Sequence, residues 1–261
     1  MAKILLIETS SEVCSAGIGV DGKVVALSEN VETQSHAALL TLQIRECTES
    51  AGIPLALLDA VALSRGPGAY TALRVGASVA KGICYALEKP LIAIDTLLAL
   101  AHATREAEFT VYSPQSNVQS PTSTVHSPTS NVQHPTSSLF VPMLDARRQE
   151  VWLAVYGDEM QGIMPAQPLI LENNSFEKLI SEKTGGAGFS GIILAGNGME
   201  KFRSGGFSEK VRFSAIHRSS ARHLGMLAEQ FFQNSDFQDI AYFEPFYMKP
   251  PNITTPGKPP F

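Results

Sequence analysis

Three short apolar runs open the chain, at residues 3–10 (KILLIETS), 14–20 (CSAGIGV) and 23–31 (KVVALSENV). Their length and bounding polar residues predict strands. Asp21-Gly22 between the last two supplies the positive backbone dihedrals that a tight hairpin turn demands. From His36 the apolar spacing lengthens. Over 36–50, Leu39, Leu42, Ile44 and Cys47 are available for one face of a helix, and Ala51-Gly52 closes it. A buried-type strand at 59–66, a helix at 71–87, a strand at 91–95 and a helix from Thr96 to about Thr104 complete a βββαβαβα order.

The same order then returns. Strands are predicted at 137–145, 150–157 and 167–173, a helix at 175–183 and a strand at 191–198. A short helix near 199–204, a strand at 211–217 and a helix at 219–233 follow. The residues themselves do not repeat; the succession of elements does. The pattern predicts an α/β protein of two similar halves, residues 1–104 and 137–249. Each starts as three antiparallel strands and is extended by right-handed crossovers, with helices on both faces.

Between the halves, residues 105–136 carry a seven-residue repeat that begins at Ser113: SPQSNVQ, SPTSTVH, SPTSNVQ. A heptad invites a coiled-coil reading, but a proline in every repeat and one valine per seven residues cannot form a helical seam. The composition predicts an extended, solvated linker with polyproline character. A Ser/Thr-Pro modification site or docking tail is the minor alternative. Residues 250–261 form a second Pro-rich stretch, a tail that orders only where a groove receives it.

Composition narrows the function. Of 261 residues, 44% are hydrophobic and 17% charged, which is the balance of a globular protein. A net charge of −5 argues against strong direct binding of RNA or DNA. Cys14, Cys47 and Cys84 stand apart in apolar surroundings and read as reduced thiols. No secretory leader is seen at the N-terminus, and no apolar run reaches the roughly 18–20 residues of a membrane span. A cytoplasmic protein is expected.

Glu8-Thr9-Ser10-Ser11 lies at the first strand turn. Hydroxyls and backbone N–H groups there can meet phosphate oxygens while the acid holds a metal. The competing and stronger reading is a polar turn that satisfies itself. Ser64 to Arg74 leaves a buried strand through Gly66-Pro67-Gly68, sets Thr71 near a helix N-cap and opens a helix, so its free N–H groups make a natural anion site. Ala72, Gly76 and Ala80 then recur every fourth residue, a column that admits a close neighbour, from within the chain or from a partner. In the second half, Asp145 with Arg147 and Arg148 reads as a phosphate loop or, preferably, the basic pair forms a structural ion pair across an interdomain cleft with Glu150 or Glu8. Gly196-Asn197-Gly198 suits an adenosine-binding turn but lacks the longer Gly-Gly pattern.

Four stretches together resemble the TsaB family: Ile7-Glu8-Thr9-Ser10, GPGAYTALRVG at 66–76, DARRQEVW from Asp145, and Glu244-Pro245-Phe246-Tyr247-Met248. In that family they read roughly IETS, GPGSFTGLRIG, DARRGEVY and PVYLR, in this order; Ala69, Tyr70 and Ala72 replace the usual Ser, Phe and Gly. The resemblance implies a duplicated actin-like, ribonuclease-H-like fold shared with the catalytic paralogue TsaD. It implies a role in making threonylcarbamoyladenosine beside the tRNA anticodon, as a non-catalytic partner of the TsaD-type transferase, with a TsaE-type ATPase and tRNA engaged only through the complex. ATP or ADP would matter at the level of the complex, and no cofactor or metal is expected on the chain itself. TsaD-like enzymes carry His-x-x-x-His after the third crossover strand; Thr96 and Leu100 stand at those positions here, with His102 beyond them. The expected docking surface is the helix pair 36–50 and 71–87, through Leu39, Leu42, Leu73, Gly76 and Ala80, with homodimerisation by the same surface. The expected cleft residues are Glu8, Thr9, Ser10, Asp145, Arg147 and Gly196. The alternatives are an independent actin-like ATPase or sugar kinase and, less favoured, a metallopeptidase.

Overall fold

A computed structural model describes residues 1–31, 36–112, 138–172, 174–184, 191–203 and 210–249. The chain divides into two units, Met1–Ala99 with Ser219–Phe261, and Leu100–Arg218. In the first unit, β1 (Lys3–Glu8), β2 (Cys14–Val20) and β3 (Lys23–Asn30) form an antiparallel meander, and Asp21 and Gly22 turn β2 into β3 at φ 56° and 77°. β4 (Ala60–Gly66) then lies parallel to β1, and β5 (Leu91–Asp95) parallel to β4, so the sheet order is β3-β2-β1-β4-β5.

The period of two along the central strands divides their side chains between the faces. Leu5, Ile7, Val61, Leu63, Leu91 and Ala93 join Leu40, Ile44 and Cys47 of α1 (His36–Ala51) and Ala77, Ala80 and Cys84 of α2 (Tyr70–Leu87). On the other face, Ile4, Leu6, Ala60, Ala62, Ile92 and Ile94 meet Ala221 and Leu224 of a 3₁₀ helix (Ala221–Leu224) and Leu227 and Ala228 of α5 (Gly225–Gln233).

The second unit repeats the arrangement with β6 (Ser138–Asp145), β7 (Glu150–Tyr156), β8 (Gly162–Ile170), β9 (Gly191–Ala195) and β10 (Val211–Phe213). Its order, β10-β9-β6-β7-β8, is that of the first sheet strand for strand. Its core joins Val141, Met143, Val151 and Leu153 to Phe176 and Ile180 of α4 (Ser175–Thr184) and to Met199 and Phe202 of a 3₁₀ helix (Asn197–Phe202). The rings of Phe176 and Phe202 meet edge to face at 5.1 Å. The fold is the duplicated actin-like, ribonuclease-H-like α/β architecture.

Two boundaries differ from the sequence reading. α3 (Thr96–Tyr112) does not stop near Thr104 but continues eight residues into the stretch expected as linker; the repeat itself, from Ser113, and the tail at 250–261 lie outside the described residues. Beyond Leu100 this helix groups with the second sheet, where Ala101 packs on Phe140 and Ile193 and Glu108 pairs with Arg212 at 3.1 Å. Conversely α5, expected to close the 137–249 half, groups with the first sheet, because its apolar stripe has its partners there. Among the described residues the second half is therefore βββαβ followed by a 3₁₀ helix and a strand, and α5 serves the first sheet instead.

Candidate functional site

The carboxyl ends of β1, β4 and β5 gather the polar residues of the first unit. Ile7 pairs with Leu63, which sets Glu8 beside Ser64 at the next step of the ladder. Glu8 is fully buried; its Oε1 accepts the Ser10 N–H at 2.5 Å and its Oε2 meets no hydrogen-bond partner. Burial pushes this carboxyl above its ordinary value, opposed by Ser10 and Ser64. Their hydroxyls stand near it without forming hydrogen bonds of normal geometry. Asp95, at the end of β5, accepts the N–H groups of Leu97 and Leu98 at 2.8 and 3.1 Å and so caps α3.

Thr9 and Ser10 do not present hydroxyls outward. Both are buried, and the bend 66–68 and α2 close over them: the Ala69 N–H donates to the Ser10 carbonyl at 2.7 Å, and a β-carbon on Gly68 would stand 2.7 Å from that of Ser10. A β-carbon on Gly76 would strike the Thr9 hydroxyl. Glu8, Thr9 and Ser10 thus form an inward-facing turn and not an open phosphate loop, and Glu8 Oε2 and Ser10 Oγ are buried in it without hydrogen-bond partners. The cap of α2 is Ala69, in extended conformation and with no side-chain hydrogen bond, and Thr71 lies inside the helix.

The expected docking column needs correction for the same reason. Leu73 is 1% exposed and Ala80 0%, and Gly76 is buried against Thr9, so these three pack within the unit and cannot line a partner surface. On α1 the buried stripe runs through Leu40, Gln43, Ile44 and Cys47, leaving Leu39 half-buried and Leu42 43% exposed. The outward face of α2 is instead Thr71, Arg74, Ser78, Gly82 and Tyr85, the last 79% exposed. The signal for it was the same three-and-four spacing shifted by about two residues, with Gly82 the sequence clue: a β-carbon there would meet nothing within 4 Å.

A feature invisible to periodicity borders this face. Residues 241–247 run back along α2: Lys81 Nζ donates to the Phe243 carbonyl at 3.2 Å, Phe243 enters the core, and the Phe246 N–H donates to the Arg65 carbonyl at 2.7 Å. The rings of Tyr247 and Tyr70 lie 4.5 Å apart, and the Arg74 guanidinium covers Tyr70 at 4.7 Å.

In the second unit, Asp145 ends β6 and Gly196 follows β9 at φ 84°, a conformation that suits glycine. Asn197 Oδ1 accepts the Asp145 N–H at 2.9 Å, which brings the two turns together. Lys201 reaches across from the 3₁₀ helix to Asp145 Oδ1 at 2.6 Å and to the carbonyls of Arg148 and Glu150 at 2.7 and 2.8 Å. Asp145 pairs with Lys201, whereas the side chains of Arg147 and Arg148, expected to form a structural ion pair, stay exposed.

Comparison with known proteins follows this geometry. The family model of TsaD, tRNA N6-adenosine threonylcarbamoyltransferase, matches residues 27–118. The TsaB protein of Haemophilus influenzae, a tRNA threonylcarbamoyladenosine biosynthesis protein, is 34% identical over 103 residues, 40% of this chain and 43% of its own length. Its counterpart in Escherichia coli is 32% identical over 99 residues, 38% of this chain and 42% of its own length. Over these stretches the chain is similar to TsaB proteins.

The aligned stretch spans less than half of those TsaB relatives. A tRNA N6-adenosine threonylcarbamoyltransferase of Clostridium perfringens is 34% identical over 88 residues, 34% of this chain and 26% of its own length. Among solved structures, YeaZ from Pseudomonas aeruginosa superposes with a TM-score of 0.70 at 20% identity, over 95% of this chain and all of that one, a likeness of fold. Among the described residues, no three His, Cys, Asp or Glu side chains cluster as metal ligands, and no helix is long and apolar enough to cross a membrane.

Proposed function

We propose that this chain is a non-catalytic subunit that pairs with a TsaD-type enzyme and supports threonylcarbamoyladenosine formation beside the tRNA anticodon. The observation that carries the reading is the start of α3. Where the resemblance places paired imidazoles in the catalytic paralogue, this chain has Thr96 and Leu100, both fully buried. An apolar Leu100 offers no lone pair to a metal, and Asp95 beside it is engaged in capping the helix. His102, on the same helix, is held below its ordinary value by burial, with the Arg105 charge adding to the effect.

The partner docks, in this reading, on the outward faces of α1 and α2, with Leu42, Arg74, Ser78, Gly82 and Tyr85 as contacts; alone, the chain pairs with itself through the same faces. A TsaE-type ATPase joins through the complex, nucleotide acts at that level, and the site of action is the cytoplasm. Gly82→Arg and Tyr85→Glu test the surface. Both positions are exposed, so the variants should fold while losing co-purification with the enzyme. Retained association would refute this placement. Loss of threonylcarbamoyladenosine from tRNA on depletion, restored by the wild-type chain, tests the role itself, and phosphate release by the isolated chain would favour the ATPase alternative.

A further inference from the structure

The β6–β7 turn carries a backbone anomaly that the docking role leaves unexplained. Arg147 and Arg148 are consecutive and both left-handed, at φ 67° and 49°. Two-residue stretches of this hand favour Asn-Gly or Asp-Gly, because a β-carbon crowds the backbone there. Here two large side chains occupy it, and the fold holds them in place. All three Lys201 ammonium hydrogens have acceptors, the Asp145 carboxylate and the carbonyls of Arg148 and Glu150. Asp145 Oδ1 also accepts the Arg147 N–H at 2.6 Å, and the Ala146 N–H donates to the Glu150 carbonyl at 3.1 Å. Lys201 therefore neutralises Asp145 and fixes the turn in one contact. Both guanidinium groups remain exposed, and neither pairs with a carboxylate among the described residues.

We infer that Arg147 and Arg148 form a phosphate-contacting point that touches the tRNA within the assembled complex, an inference that rests on the proposed function above. A guanidinium presents a planar fork that matches a phosphate, and unpaired forks on a locked turn lose little freedom on binding. The turn, Ala146-Arg147-Arg148-Gln149, lacks the large apolar or aromatic anchor that dominates protein interfaces. Phosphate contacts need no such anchor and serve to position the nucleic acid. Two contacts on a chain of net charge −5 are too few for binding alone, so they act beside cations supplied elsewhere in the complex.

The test is the combined variant Arg147→Asn with Arg148→Gly, which keeps residues suited to the left-handed turn and removes both charges. The complex with the TsaD-type enzyme, wild type and variant, is titrated with tRNA across a salt series. The expected result is unchanged complex assembly, affinity lowered about ten-fold at low salt, and a log–log salt slope shallower by about 1.5, as two lost phosphate contacts require. The charge-conserving double variant, Arg147→Lys with Arg148→Lys, should keep the slope and recover most of the affinity. Unchanged affinity and slope in the first variant would overturn the inference, as would loss of enzyme association, which would mark the turn as a protein contact. A wild-type complex that assembles but does not bind tRNA overturns the inference alone, whereas failure of the wild-type chain to assemble with the enzyme overturns the proposed function with it.

Discussion

Thr9 and Gly76 interlock: the hydroxyl of Thr9, just past β1, fills the place that a β-carbon on Gly76 of α2 would need. Both are buried, and the contact ties the first strand turn to the helix that carries the proposed docking face. Gly82, six residues further along α2, has open space instead. Gly76→Ala should therefore destabilise the protein by roughly 1–3 kcal/mol through overpacking, while Gly82→Ala should stabilise it by up to about 1 kcal/mol through helix propensity. Urea unfolding of the two variants decides it; equal effects would contradict the interlock.

Gly66 makes a second backbone demand. Its φ of 113° is open to glycine, and a β-carbon there would collide with the Phe246 carbonyl while lying 3.2 Å from Leu73. Gly66→Ala should cost more than the roughly 1 kcal/mol of an ordinary glycine replacement. Because the same substitution pushes residues 241–247 off α2, Tyr247 should become more accessible, which fluorescence quenching can read. A stable variant with an undisturbed Tyr247 would show that the C-terminal segment is not seated as described.

His223 supplies an acid-side prediction. Burial, helped by the Arg222 charge, pushes it from an ordinary 6.5 down to about 4. Between those values the unfolded chain binds a proton that the folded chain refuses, so stability should fall as pH drops from about 6.5 towards 4. The loss amounts to at most roughly 3 kcal/mol. His223→Gln should flatten that limb of a stability–pH profile, and an unaltered limb would assign the acid sensitivity elsewhere.

Glu8 acts with the opposite sign. Its carboxyl is raised from an ordinary 4.5 by burial, so the folded state holds a proton that the unfolded state releases first. Its contribution to stability is present below pH 4.5 and is lost as pH rises through the window above it. Glu8→Gln keeps an oxygen for the Ser10 N–H and cannot ionise. Its unfolding free energy should exceed that of wild type at neutral and higher pH and lose the downward slope. A wild-type profile that rises with pH across this window would show Glu8 to be ionised and otherwise stabilised.

Most of the architecture was legible before any tertiary contact was known, and particular residues show why. Asp21-Gly22 fixes its hairpin by local dihedral preference, and the apolar runs of β1, β4 and β5 announce strands covered on both faces. The site was less legible. Helical spacing shows that α2 has a small-residue column but not which way it turns, and Ala72, Gly76 and Ala80 face Thr9 and the core. The clamp of Lys201 on Asp145 joins residues 56 apart in sequence, and nothing local to either marks the other.

The sequence by itself determined the succession of strands and helices, the duplication and the resemblance to TsaB proteins, because period, turn chemistry and short motifs are local properties of the chain. Tertiary structure alone decided which sheet each terminal helix serves, that Glu8, Thr9 and Ser10 turn inward, and that Arg147 and Arg148 are left outside. Those outcomes depend on which apolar stripes fill which faces and on which polar atoms find partners, and both are settled by residues distant in the chain.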